Sequence, residues 1–175
     1  NCLWGNERII KNAHSVFVYE LNSDTLLYSW NADSTYYPAS LVKIMTALVV
    51  IENADLADMV TVTEATLSTI PTSAVSADLQ AGERMSVRDL LYCMMVTSSN
   101  DAAVVLAEHV ADSQDAFVAM MNAKAEALGC KSTAFYNVTG FHHSNQVTTA
   151  KDMTRILMAA LKYEEFKTIF ETVYY

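Results

Sequence analysis

The chain has 175 residues and a mass of 19.3 kDa, about the size of one domain, and 52% of its residues are hydrophobic, enough to fill a core and to exclude a disordered tail. Only 4 Gly and 2 Pro exclude collagen-like, linker-rich and low-complexity architectures. With 20 acidic against 11 basic residues the net charge is −9 and the pI near 4.7, a field that repels phosphate backbones, so no nucleic-acid partner is expected.

Residues 15–21, Ser-Val-Phe-Val-Tyr-Glu-Leu, are β-branched and aromatic, and Thr25 to Trp30 is similar. Asn22-Ser23-Asp24 between them are turn formers, which predicts a β-hairpin. After Tyr36-Tyr37-Pro38-Ala39-Ser40, Leu41 to Glu52 carries apolar residues on nearly every face, the pattern of a buried helix with Ser40 at its N-terminus. A short strand is expected at Val60 to Thr63, then a loop with a short helix over Thr66 to Ala77, broken by Pro71. Ser86-Val87-Arg88-Asp89 has the form of a capping box and leads into Leu90, Leu91, Met94 and Met95 at helical spacing. The polar break Thr97-Ser98-Ser99-Asn100 precedes a helix over Asp101 to Ala111. Another helix runs over Asp115 to Leu128 and closes at Gly129 with a left-handed cap. Thr149-Ala150-Lys151-Asp152 caps a further helix, Met153 to Leu161. A hairpin followed by at least five helical segments, without βαβ alternation, predicts an α+β domain. Its lone hairpin needs further strands or a covering helix to be stable.

Cys2, Cys93 and Cys130 are odd in number and widely spaced, with no C-x-x-C, so no disulfide framework is expected. Cys93, inside the apolar run Leu90 to Val96, reads as a small buried hydrophobe. His14, His109, His142 and His143 lack metal-ligand spacing, and no metal site or cofactor is expected; His142-His143 fall in the loop after Gly140, at the mouth of a cleft at best. Ile44 to Ile51, the longest strongly apolar stretch, is too short for the roughly 20 residues a membrane span needs.

Chemistry is concentrated at two places. In Ser40-Leu41-Val42-Lys43 the i, i+3 spacing at a helix start puts a hydroxyl and an amine on one face. A serine attacks only when a base takes its proton, and a lysine serves if burial lowers its pKa from about 10.4 toward neutrality. The free N–H groups of the helix start, that of Ser40 included, offer half of an oxyanion hole. Taken alone, the same spacing also fits an N-cap serine beside a lysine that reaches for solvent. The second place is Ser98-Ser99-Asn100, either a turn whose Ser99 or Asn100 caps the next helix or a hydroxyl and a carboxamide set to handle a substrate amide.

Five blocks then stand in order: Tyr37-Pro38-Ala39-Ser40-Leu41-Val42-Lys43; Leu79-Gln80-Ala81-Gly82-Glu83 with Ser86 to Leu91; Ser98-Ser99-Asn100-Asp101-Ala102-Ala103; Asn137-Val138-Thr139-Gly140-Phe141; and Thr148-Thr149-Ala150-Lys151-Asp152-Met153. Together they resemble the low-molecular-mass penicillin-binding proteins, the D-alanyl-D-alanine carboxypeptidases. The resemblance covers roughly residues 14 to 170 and implies a DD-peptidase/β-lactamase-like fold. It implies that Ser40 is the acylated nucleophile, Lys43 its general base, Ser98 a partner in proton transfer and Asn100 a substrate-binding residue. It also implies the peptidoglycan stem peptide as substrate, β-lactam antibiotics as ligands, and an extracytoplasmic location, with membrane association through a segment outside this chain. A serine β-lactamase is the close alternative, although no deacylating glutamate stands in the expected kind of loop; an inactive binding fragment is the non-enzymatic one.

Two departures from the family pattern stand out. Ser99 replaces the usual glycine, bringing a side chain toward the cleft, and no Lys-Thr-Gly follows Asn100, Lys167-Thr168 being followed by Ile169 inside an expected helix. In the family that third motif lies on a strand bordering the cleft. The expectation is therefore a single catalytic domain over residues 1–175 that lacks its last sheet strands, with an exposed sheet edge that invites dimerisation.

Overall fold

The computed structural model of the protein describes residues 13–175, so Cys2 lies outside it. The hairpin forms as expected. β1 (Val16–Glu20) pairs antiparallel with β2 (Thr25–Trp30), Val16 opposite Trp30 and Glu20 opposite Thr25, with one irregularity between Val18 and Tyr19. The Glu20 carboxylate accepts from the backbone N–H of Asn22 and of Ser23, and Asp24 takes a left-handed φ of 52°, which closes the turn. Among the described residues this sheet has two strands, and α6 (Ala150–Ala160) packs against β1.

The centre of the molecule is α1 (Val42–Asn53), reached through a 3-10 turn over Ala39–Leu41. Its first nine residues, 42–50, are all buried, because α3 (Val87–Val96), α4 (Asn100–Ala111), α5 (Gln114–Ala127), α6 and α7 (Glu164–Glu171) surround it. An all-round apolar helix is stable only in such a position. Leu48, Leu90, Leu91, Leu106, Phe117 and Ile156 meet in the resulting core.

Helix starts follow the caps written in the sequence. Ser86 accepts from Asp89 N–H at the head of α3, Ser113 from Ala116 N–H at α5, and Thr149 from Asp152 N–H at α6. At the end of α5, Gly129 at φ 74° lets its own N–H reach Glu126 O while Cys130 N–H reaches Ala125 O, the paired bonds of a Schellman stop.

Two expectations needed adjustment. β3 (Met59–Thr61) begins one residue before the expected strand and pairs antiparallel with β4 (Arg84–Ser86), a strand of three residues, too short for a pattern to show it. The short helix α2 (Glu64–Leu67) sits at the head of the Thr66 to Ala77 segment, capped by Thr63. No helix among the described residues is long and apolar enough to cross a membrane.

Candidate active site

Ser40 lies in the 3-10 turn rather than at the α-helical N-cap, a position that falls to Leu41. The turn holds Ser40 exposed at the surface while Lys43, in the first turn of α1, is only 3% exposed. Ser98 belongs to the link between α3 and α4, and Asn100 is the first residue of α4. Ser40, Lys43 and Ser98 line one cleft of about 340 Å³, whose apolar wall is built by Leu41, Ile44, Met94, Met95 and Phe170. Asn100, 6% exposed, stands behind Lys43 rather than on the cleft wall.

The Lys43 Nζ donates to Asn100 Oδ1 at 2.9 Å and to the Thr139 carbonyl at 2.6 Å. Neither partner carries a charge. Burial therefore acts unopposed and lowers the amine to a pKa of about 8. The neutral amine is then far more populated near neutral pH than that of an ordinary lysine. That amine has two hydrogens and one lone pair. Both hydrogens then have acceptors, and the lone pair is uncommitted. Among the described residues neither the Ser40 nor the Ser98 hydroxyl makes a hydrogen bond of its own.

Asn100 is itself fixed. Its Nδ2 and its backbone N–H both donate to Val75 O, at 2.8 and 2.9 Å. The Val75 segment is pinned in turn by the buried Asp101 carboxylate, which accepts from Ser76 Oγ and from the N–H groups of Ala77 and Leu79. These bonds hold Asp101 below the usual carboxylate range against the opposing push of burial. The other partner of Lys43 comes from residues 137–141. There Val138 O accepts from Thr46 Oγ1 at 2.8 Å, tying the segment to α1 one turn beyond Lys43.

Backbone strain marks the same place. Among the described residues six non-glycine residues have left-handed φ, and four of them are Asp or Asn, which tolerate it. The other two are Ala39 (φ 48°) and Ser98 (φ 59°), and both line the cleft. Sparsely populated backbone conformations persist where surrounding structure over-determines them, which is common at functional sites.

Ser99 departs from expectation. It is fully buried, its hydroxyl has no hydrogen-bond partner, and it makes no capping bond to α4 although it holds the N-cap position. A side chain at this position therefore turns into the core rather than toward the cleft. The loop after Gly140 lines a separate small pocket together with Tyr37, Pro38 and Ala39, where the His142 ring meets Tyr37 edge-on at 4.6 Å. The Thr139 carbonyl and the Val75 carbonyl, the two backbone groups that set the amine and the carboxamide, were not foreseen, since backbone acceptors leave no residue-type signal.

Residues 6–173 match the D-alanyl-D-alanine carboxypeptidase family. The chain is 35% identical over 157 residues to a D-alanyl-D-alanine carboxypeptidase of Bacillus subtilis, covering 87% of this chain and 40% of that protein. It is 38% identical over 149 residues to a D-alanyl-D-alanine endopeptidase of Pseudomonas aeruginosa, covering 85% and 47%. Among solved structures, penicillin binding protein 6B from Escherichia coli superposes with a TM-score of 0.87 at 31% identity, covering 97% of this chain and 56% of that one. The Streptomyces K15 DD-transpeptidase superposes with a TM-score of 0.83 at 31% identity, covering 87% and 62%. The chain thus spans 40–47% of the length of these two curated relatives. With the fold shared and the Ser40 and Ser98 blocks brought to one cleft, the chain belongs to the D-alanyl-D-alanine carboxypeptidase family.

Proposed function

We propose that this chain carries the nucleophile-and-base half of a serine-type D-Ala-D-Ala carboxypeptidase domain that works on peptidoglycan stem peptides through an acyl-enzyme. The observation that carries the reading is Lys43: a buried amine with both N–H donors held and its pKa lowered to about 8, in one cleft with Ser40 and Ser98. Lys43 takes the Ser40 proton as the Ser40 oxygen attacks the carbonyl carbon of the terminal D-Ala-D-Ala bond. The Ser40 N–H faces the developing oxyanion. As the C–N bond breaks, Ser98 passes a proton from the Lys43 ammonium to the departing D-alanine amine. Water then attacks the ester and gives one proton to Lys43, and as the acyl C–O bond breaks the Lys43 ammonium returns that proton to the Ser40 oxygen. These steps use proton transfers alone.

Asn100 enters as a positioning residue as much as a substrate-binding one, because its carboxamide oxygen is taken by Lys43 and one of its amide hydrogens by Val75. A β-lactam presents an amide-like carbonyl to the same serine and would acylate it. Among the described residues no carboxylate lines the cleft to activate a deacylating water, which favours a lasting penicillin adduct over β-lactamase turnover. Rapid hydrolysis of a chromogenic cephalosporin would reverse that preference. The substrate places the reaction outside the cytoplasm, and dimerisation through the hairpin edge is checked by sedimentation.

The test is release of D-alanine from a peptide ending in D-Ala-D-Ala by the polypeptide of the complete open reading frame. Release that Ser40→Ala abolishes is expected. No release from a protein with an intact cooperative melt would sink the proposal.

A further inference from the structure

The segment 137–141 is locked from within. Asn137 Oδ1 accepts from Gly140 N–H at 2.8 Å and Asn137 Nδ2 donates to Phe141 O at 2.9 Å. Gln146, 2% exposed, spans it with four bonds: its Oε1 accepts from the N–H groups of Tyr136 and Asn137, and its Nε2 donates to Asn137 Oδ1 and Phe141 O. This rigid strap lies against the back of the nucleophile. A Cβ built on Gly140 would stand 2.1 Å from Ala39 O, 2.5 Å from Ala39 C and 2.9 Å from Ser40 N. All three atoms are backbone, so none can rotate aside.

From this contact we infer that Gly140 is a positioning residue for Ser40, the strap pressing the Ala39–Ser40 peptide into the left-handed geometry that aims both the Ser40 hydroxyl and its N–H at the cleft. The strained φ of 48° at Ala39 is then the imprint of that contact. The same strap gives Lys43 its Thr139 carbonyl, so one rigid element sets nucleophile and base relative to each other. The inference rests on the acyl-transfer reading for its kinetic consequence but not for its structural one.

Gly82 supplies a matched control. Its φ of 92° is nearly that of Gly140 at 94°, yet a Cβ there meets nothing within 4 Å. Gly82→Ala therefore carries the backbone strain without the collision. In the protein of the complete reading frame, Gly140→Ala is expected to lower the penicillin acylation rate constant by about 10²-fold, the scale of a misplaced reacting group, with the dissociation constant of the initial complex unchanged. Gly82→Ala is expected to leave both unchanged. In 15N–1H spectra the Ser40 and Leu41 amides should shift in Gly140→Ala and stay in place in Gly82→Ala. If Gly140→Ala loses its cooperative melt, Asn137→Ala loosens the strap without adding atoms and should lower the acylation rate constant three- to tenfold with binding intact. Equal acylation by Gly140→Ala and Gly82→Ala overturns the inference, as does an unchanged rate constant in Asn137→Ala. Absence of any acylation in the unsubstituted protein refutes the acyl-transfer reading instead, and the amide shifts still decide the role of Gly140.

Discussion

The inner and outer sides of the cleft are built on opposite terms. On the inner side Lys43 is buried, both its bonds are made, and its neighbours Asn100 and Thr139 are fixed in turn by Val75, Asp101 and the Asn137 strap. On the outer side Ser40 is exposed, Ser98 half-buried, and each sits in or next to a left-handed residue that local preference alone would not choose. The contrast teaches that the amine is prepared in advance by packing, whereas the hydroxyls are held in place by strained backbone and left unbonded in the cleft. Preorganisation thus costs burial on one side and backbone strain on the other.

Substitutions on the outer side should act by all-or-none loss of chemistry. Ser40→Ala removes the proposed attacking atom and is expected to abolish covalent labelling by fluorescent penicillin while leaving the melting temperature within about 2 °C, as an exposed residue allows. Persistent labelling would move the nucleophile elsewhere.

The inner side should respond in degree and in pH. Lys43→Met is expected to lower acylation by about 10²- to 10⁴-fold, the usual worth of a general base. In the unsubstituted protein acylation should rise with pH to a midpoint of about 8, the proposed base being the neutral amine. Stability should follow the same group. Its folded pKa of about 8 lies below the ordinary 10.5, so between those values the unfolded chain binds more protons and stability rises with pH. The Lys43→Met protein should lack that rise when the two are melted across the range. A midpoint near 10.5 would mean that the amine is not desolvated in the working protein.

Smaller effects sharpen the boundary between the sides. Thr46→Val deletes the buried bond to Val138 O and leaves that acceptor unpaired, for an expected loss of about 1–3 kcal/mol in chemical denaturation with acylation reduced only a few-fold. Ser99→Ala removes a hydroxyl that is buried without a partner and should stabilise the fold by about 1 kcal/mol without altering labelling. A stability loss in Ser99→Ala would show that this hydroxyl is paired in solution.

Much of this arrangement was legible in the sequence because it is written in side-chain chemistry. The turn formers at 22–24, the caps at Ser86 and Thr149, the stop at Gly129 and the all-round apolar α1 each act through the residue that displays them. The Ser40–Lys43 spacing pointed to a hydroxyl and a buried amine in one cleft for the same reason. What escaped depends on distant backbone. β4 exists because β3 is beside it, and the amine is set by a carbonyl 96 residues away in sequence. Ser99 was expected near the cleft because its neighbours are there, but the left-handed turn at Ser98 and the β-region φ and ψ at Ser99 send its side chain inward. Gly140 was visible only as one residue of a motif; the Ala39 carbonyl that forbids a side chain there appears only in three dimensions.

The central claim, that Ser40 is activated by the buried Lys43, is tested most directly by locating the penicillin adduct. The polypeptide of the complete reading frame is treated with benzylpenicillin at pH 8, digested, and its peptides are mapped by mass spectrometry. A penicilloyl mass on Ser40, lost in Ser40→Ala and formed far more slowly in Lys43→Met, is the predicted result. An adduct on another residue, or one that forms at the same rate without Lys43, would contradict it.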